Sequence, residues 1–121
     1  MGFRELIKIV QLDSGFSDTE SKDALEMMVE SLAVHLDEGE RKDFASQLPS
    51  ELQDIALSVM PTEETAHQDI IQQFMEMEDI EEPHAKKQIV AAWLALKEAI
   101  SEGQIRHILA QLPNNMVAML H

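Results

Sequence analysis

The most telling absence in this chain is cysteine. None occurs among the 121 residues, which excludes disulfides, thiolate metal sites and cysteine nucleophiles together. Tyrosine is also missing, and one Trp and four Phe are the only aromatic residues, so aliphatic residues and Met must fill the core. No apolar run approaches the roughly 18 residues that a membrane-spanning helix needs. The N-terminus lacks the features of a signal peptide, so we expect a cytoplasmic protein that does not bind membranes.

Basic residues are also scarce, because 9 Lys and Arg stand against 23 Asp and Glu, for a formal net charge of −14. Residues 1–60 hold 13 acids and 5 bases, and residues 61–121 hold 10 acids and 4 bases. Contacts to phosphate need clustered Lys and Arg, so we do not expect nucleic acid as a partner. Two explanations stay open: the acidity confers solubility, or an acidic face meets a basic protein partner.

Signatures of catalysis are absent as well. The sequence contains no Gly-x-Ser-x-Gly, no phosphate-binding loop and no Gly-x-Gly-x-x-Gly, and its four glycines are scattered. No pair of carboxylates stands out from the general acidity as an acid–base couple. We therefore expect a non-enzymatic protein without a cofactor.

What the chain does contain is a repeat. Glu38–Glu40 followed by Gln47–Pro49 returns as Glu102–Gln104 followed by Gln111–Pro113, at a constant offset of 64 residues. Such self-similarity indicates a tandem duplication. A unit of about 60 residues is too small for a comfortable core of its own. The sequence therefore predicts a single domain, 1–121, in which repeat units 2–60 and 64–121 pack around a pseudo-two-fold axis as one closed bundle.

The apolar pattern predicts an all-α fold. Apolar residues recur at helical spacing throughout, as Phe3, Leu6, Ile7 and Val10 do in residues 3–12. A long helix should follow to about Leu36. Each unit should hold four helices, two of them short. Three segments have the pattern of a capping box: Ser17–Glu20, Asp37–Glu40 and Ser101–Gln104.

The repeated motifs predict two tight corners between helices. In each corner the Leu should plug the core, the Pro should set φ for the next helix, and the Gln amide should satisfy backbone groups freed at the break. The glycines should permit close helix–helix approach. An alternative is a binding role for the paired glutamines. The corner residues are Gly39, Gln47, Leu48, Pro49, Gly103, Gln111, Leu112 and Pro113.

Two Glu-x-x-His pairs, Glu64–His67 and Glu81–His84, have the spacing that di-iron bundles use. Both pairs should lie at the starts of consecutive helices. Antiparallel packing would then separate them by roughly 18 Å, at about 1.5 Å per residue. We therefore expect no metal site.

A base-free acidic stretch joins two helices of the second unit and is the candidate partner face. It consists of Glu76, Glu78, Asp79, Glu81 and Glu82. The segment from Met116 to Leu120 is apolar almost all round. On a terminal helix it should leave surface to bury against a second subunit, so a homo-oligomer is a second expectation.

Within Leu32–Leu57, a long helix, a Gly-Glu corner and a helix ending in Ala-Ser-Gln-Leu-Pro resemble the DUF2267 family of small bacterial proteins. The second copy, Ile100–Met116 with its Ala-Gln-Leu-Pro, looks like the same pattern, although it has Gln104 where the family usually has Glu. The resemblance covers nearly the whole chain. It implies an all-α duplicated domain and no activity, since the family is uncharacterised.

Three hypotheses about function remain. The first is a non-enzymatic, acidic helical interaction module with an unknown, basic protein partner. The second is an acidic mimic of nucleic acid that occupies a basic cleft on another protein. The third, which the spacing of the Glu-x-x-His pairs disfavours, is an enzyme or metal-binding bundle.

Overall fold

The computed structural model describes residues 1–67 and 69–120, with residues 66 and 67 described by their backbone alone. The all-α prediction is confirmed, because this part of the chain contains helices and no strand. The helices are α1 (Phe3–Ser14), α2 (Asp18–Ala33), α3 (Glu38–Ser46), α4 (Ser50–Ser58), α5 (Glu63–His67), α6 (Ile70–Glu78), α7 (Glu82–Ala99), α8 (Glu102–Gln111) and α9 (Asn114–Leu120).

Local sequence signals determine most of the helix ends. Gly15 ends α1 in the left-handed conformation, with φ of 79°, which a residue without Cβ adopts at little cost. The Ser17 hydroxyl then accepts a hydrogen bond from the Glu20 N–H at 3.1 Å and caps α2. Helix α2 ends at Ala33, so the predicted extension to Leu36 is wrong by three residues.

The segment before α6 also differs from the prediction. Glu64–His67 was expected to begin the helix that carries Ile70 and Phe74, but it forms the separate short helix α5. Asp69 starts α6 afresh, since its carboxylate accepts a hydrogen bond from the Ile71 N–H at 2.8 Å. Such a cap satisfies a backbone donor that the helix itself leaves free.

The two longest helices, α2 and α7, form the centre of the fold and pack against each other. Helix α1 packs against both of them, α4 packs against α2, and α6 and α9 pack against α7. The shorter helices α3 and α8 contact each other. Fully buried side chains along the two central helices include Leu25, Met28, Leu32, Ile89, Ala92 and Leu96. This arrangement leaves one flank of α2 open between α4 and α6.

The terminal apolar helix α9 does not leave the surface that its sequence led us to expect. Met116 and Leu120 are buried, and Val117 and Met119 are packed against the core. The neighbour that covers this helix is α7 of the same chain. Within residues 1–67 and 69–120, no helix combines the length and the apolar character that crossing a bilayer requires.

Candidate functional site

The two corner glutamines connect the halves of the chain. The Ser101 N–H donates to Gln47 Oε1 at 2.7 Å, and the Asp37 N–H donates to Gln111 Oε1 at 3.2 Å. Asp37 and Ser101 are the N-cap residues of α3 and α8. Each glutamine therefore satisfies a backbone donor at the start of the other half's corner helix. The prediction that it serves its own break is wrong: at the first corner, the Leu48 carbonyl accepts from Gln53 instead.

The predicted capping boxes form by half for the same reason. Each N-cap side chain accepts the expected hydrogen bond, as Asp37 does from the Glu40 N–H at 2.8 Å. The side chain at the third helical position does not reach back to its own N-cap. Instead, Gln104 Nε2 donates to Glu40 Oε2 at 3.0 Å, which joins α8 to α3. The glutamine of the other half takes over the missing half of the box.

A third link joins the N-terminal turns of α2 and α7. The Glu20 carboxylate accepts a hydrogen bond from Gln88 Nε2 at 2.7 Å and contacts Nε2 of His84. The His84 ring stacks on Phe16, with 5.3 Å between the ring centroids. Glu20 thus also leaves its own capping box in order to bind the other half.

The apolar corner residues lie where they were expected. Leu48 and Leu112 are buried, with 4% and 7% of their surface exposed. Pro49 and Pro113 stand immediately before α4 and α9 rather than inside their first turns.

The corner glycines are not sites of close approach, so that prediction is wrong. A Cβ at Gly39 would meet the Asp37 carboxylate at 3.6 Å, and one at Gly103 would meet Arg106 at 4.0 Å. Both distances are ordinary van der Waals contacts. The helices therefore do not need glycine at either position for packing.

The predicted partner face does not form a single acidic surface. Glu78 turns toward α2, whereas Glu76, Asp79, Glu81 and Glu82 are exposed around the ends of α6 and α7. Asp79 ends α6 in the left-handed conformation. Glu82 lies 3.8 Å from Lys86 in an ion pair.

A different acidic surface lies on the open flank of α2, and we call it the acidic groove. It consists of two adjoining pockets of about 340 and 310 Å³ between α2, α4 and α6. Four acids edge it, and its apolar lining includes Ile55 at the centre. The residues that line it are Asp23, Glu26, Met27, Glu30, Asp54, Ile55, Ser58, Val59, Met77 and Glu78.

The pKa of Glu78 is raised above its ordinary value. Burial is the main cause, because it disfavours the charged form, and the nearby carboxylates of Asp23 and Glu20 act in the same direction. The opposing effect of His84 is smaller. Elsewhere, burial lowers the pKa of His35, which keeps that imidazole neutral over a wider pH range.

No group of three or more His, Asp or Glu that could hold a metal ion occurs in residues 1–67 and 69–120. In one Glu-x-x-His pair, His84 contacts Glu20 of α2 and Glu81 is the N-cap residue of α7. In the other pair, the side chain of His67 lies outside the described residues.

The family model for "Uncharacterized conserved protein (DUF2267)" matches residues 3–119. The chain belongs to the DUF2267 family. The resemblance seen in the repeated corners is thereby confirmed, and it extends over nearly the whole sequence. No curated protein and no solved structure matches the chain. The description of the DUF2267 family names no activity, so function has to be argued from the geometry of this chain.

Four groove residues were missed by sequence reasoning: Asp23, Glu26, Glu30 and Asp54. Three of them recur at i, i+3 and i+7 on α2, beside the apolar stripe that forms the core. That spacing on its own is the usual solvated flank of an amphipathic helix. What distinguishes it here is the position of Ile55 and Asp54 of α4 across the groove, which sequence spacing does not reveal.

Proposed function

We propose that this protein is a non-enzymatic interaction module that binds a basic, amphipathic segment of a partner protein in the acidic groove. The observation that carries the proposal is the groove itself. It combines an apolar lining with carboxylates from three helices, on the flank of α2 that no other helix covers. A partner helix with apolar residues on one face and Lys or Arg beside them would match both features.

The dimensions of the groove fit a short helix. From Glu20 to Glu30, α2 advances by about 15 Å at 1.5 Å per residue, which equals the length of roughly ten helical residues. Met27 and Ile55 are partly buried, and Met77 is 71% exposed. Methionine side chains adapt to varied apolar partners because they are unbranched and flexible. The apolar residues supply contact area, and the acids supply charge complementarity and a fast on-rate.

Mimicry of nucleic acid receives less support. The four acids of α2 that face the groove region, Glu20, Asp23, Glu26 and Glu30, are separated along the helix axis by about 5 Å on average. Duplex DNA carries one charge per 1.7 Å or so of its axis, which is about three times denser. A concave, partly apolar groove also suits an inserted segment better than the rim of a basic cleft.

The proposal includes the predicted duplication, with units 2–60 and 64–121 related by a pseudo-two-fold axis within one domain. Reciprocal contacts support it. The bond from Ser101 to Gln47 has its counterpart 64 residues away in the bond from Asp37 to Gln111. Positions on such an axis should contact their own equivalents, as Glu40 does Gln104 and Glu20 does His84. The absence of cysteine from the sequence supports a reducing compartment such as the cytoplasm.

The test uses a synthetic amphipathic helix of about 18 residues, with Leu at i, i+3 and i+7 and flanking Arg. Fluorescence anisotropy would measure its affinity for the wild type and for the variant Glu26→Gln/Glu30→Gln/Asp54→Asn. We expect the variant to bind at least about tenfold more weakly. The on-rate for the wild type should fall steeply with salt, because the Debye length shrinks to about 8 Å near physiological ionic strength.

The matched control is Asp43→Asn/Glu98→Gln/Glu102→Gln, which removes three exposed acids remote from the groove. It should bind within about threefold of the wild type, since the net charge changes equally but the groove does not. Equal losses in the two variants would show that overall charge governs binding, and would favour mimicry of nucleic acid over the groove. Failure of the peptide to bind the wild type at any salt concentration would overturn the proposal.

A further inference from the structure

A third pocket, which we call the end pocket, continues the acidic groove at the N-terminal end of α2. It has a volume of about 310 Å³. Asp23 and Glu78 line both the end pocket and the groove. Glu20, His84 and Gln88 complete its polar lining. A volume at the small end of the range for ligand sites fits one side chain better than a large cofactor.

The polar atoms of the end pocket are not balanced. Gln88 is only 1% exposed, and its Nε2 donates to Glu20 Oε2 at 2.7 Å. That bond determines the orientation of the amide, because the flipped amide would place an oxygen against a carboxylate oxygen. Gln88 Oε1 is then buried with no hydrogen-bond partner, and so is Oε1 of Glu78.

Both unpartnered atoms are acceptors, and an acceptor left buried without a donor costs free energy. The pocket therefore has the chemistry to receive a ligand rich in N–H donors. Three carboxylates, those of Glu20, Asp23 and Glu78, also favour a positive charge there. These features select a cationic donor and disfavour an anion or an apolar group.

We propose that the end pocket binds the guanidinium group of an arginine side chain carried by the segment that occupies the acidic groove. This inference rests on the proposed function, because the groove brings the partner's arginine to the pocket. Guanidinium offers five N–H donors in one plane and no acceptor. It can therefore serve the Gln88 carbonyl and two carboxylates together.

Two other cations fit less well. The ammonium group of lysine has three donors and is more strongly hydrated than guanidinium, so its desolvation in a partly buried pocket is harder. A metal ion needs ligands that converge, and the described residues present no such group of three acids or histidines. His84 is already engaged with Glu20 and stacked on Phe16, which makes it a wall of the pocket.

The raised pKa of Glu78 agrees with this assignment. Burial and the charges of Asp23 and Glu20 disfavour its ionised form while the pocket is unoccupied. A guanidinium group would supply the missing opposite charge and favour ionisation. The carboxylate thus contributes to ligand binding at some cost to the unliganded fold.

The test is a titration followed by ¹H–¹⁵N NMR with Nα-acetyl-arginine methylamide as the probe. The side-chain amide of Gln88 reports directly on the pocket. We expect saturable shifts of this resonance, an affinity at least about fivefold weaker for the lysine analogue, and no saturation with the citrulline analogue. Citrulline matches the shape of arginine but lacks its charge. Equal shifts with citrulline, or no shift with arginine, would overturn the inference.

The variant Glu78→Gln should weaken the arginine probe at least about tenfold, while Glu30→Gln, outside the pocket, should leave its affinity within about twofold. Saturation of the same resonance by millimolar Ca²⁺ that displaces the probe would assign the pocket to a metal instead. The basic peptide separates the two proposals. If it binds the groove equally well with its arginines replaced by citrulline and lysine, the arginine pocket fails and the groove proposal stands. If it does not bind at all, the groove proposal fails whatever the small probe does.

Discussion

The two central helices have the same interior and different exteriors. Inward positions 64 residues apart are apolar in both, as Leu25 and Ile89 are, and likewise Leu32 and Leu96. On the flank that borders the acidic groove, α2 carries Asp23, Glu26 and Glu30. The positions 64 residues later on α7 are Lys87, Val90 and Leu94, and the last two are 38% and 37% exposed.

This difference separates the requirements of folding from those of binding. A shared interior is what two copies of one packing scheme require, since both must fill the space between helices. Nothing in that scheme demands acids on one flank and apolar residues on the other. The flanks are therefore where the halves acquired separate properties, and the acidic one alone coincides with a groove between three helices.

The largest expected effect tests the shared interior. Leu48→Ala and Leu112→Ala should each lower the free energy of unfolding by about 2–5 kcal/mol, because each removes a buried side chain and leaves a cavity. Urea denaturation of the two variants would measure this. A loss below about 0.5 kcal/mol at either site would mean that the two corners do not have the same structural role.

The next effect tests the links between the halves. Gln47→Ala and Gln111→Ala should each cost about 0.5–1.5 kcal/mol, the net value of a typical hydrogen bond. We expect the larger loss for Gln47, whose bond to the Ser101 N–H is 2.7 Å against 3.2 Å for the bond between Gln111 and Asp37. Thermal and urea denaturation would rank the two. A larger loss for Gln111 would contradict the account of unequal links.

The corner glycines offer a gain of stability. Gly39→Ala and Gly103→Ala should each raise the free energy of unfolding by about 0.4–1 kcal/mol, because alanine loses less backbone freedom in a helix and the structure has room for its Cβ. Destabilisation by either substitution would show a close approach that the geometry excludes.

The smallest effect concerns Glu78 and depends on pH. Its pKa is raised in the folded state, so its contribution to stability is fully present below the unfolded value of 4.5 and is lost as pH rises through the folded value. Glu78→Gln should therefore stabilise the unliganded protein at pH 7 and have little effect at pH 4. Urea denaturation at both values checks this. A loss of stability at pH 7 would mean that the carboxylate has a stabilising partner.

The helices themselves could be predicted from sequence because apolar periodicity and N-cap residues act locally. Ser17, Asp37 and Ser101 cap their helices as their sequences indicate. The fate of Glu20 and Glu40 could not be predicted, since their partners lie in the other half of the chain. Local pairing was the natural expectation, and tertiary contacts replaced it.

The groove could be predicted only in part. Net charge indicated an acidic surface, but the base-free stretch from Glu76 to Glu82 drew attention to the wrong segment, of which Glu78 alone contributes. Acids that are adjacent in sequence spread around helix ends, whereas acids three and four apart on α2 share a flank. Which flank stays open depends on how α4 and α6 pack, and that is decided by the whole core.

The central claim is that a basic segment binds beside α2 and not at the corresponding flank of α7. The most direct measurement is methyl NMR on protein labelled at its methionine methyl groups, titrated with the basic amphipathic peptide. The account predicts that the resonances of Met27 and Met77, which line the groove, shift and show contacts to peptide methyl groups. Met60, which is 83% exposed and outside the residues that line the groove, should stay unchanged. Contacts from the peptide to Val90 and Leu94, with Met27 and Met77 unperturbed, would contradict it.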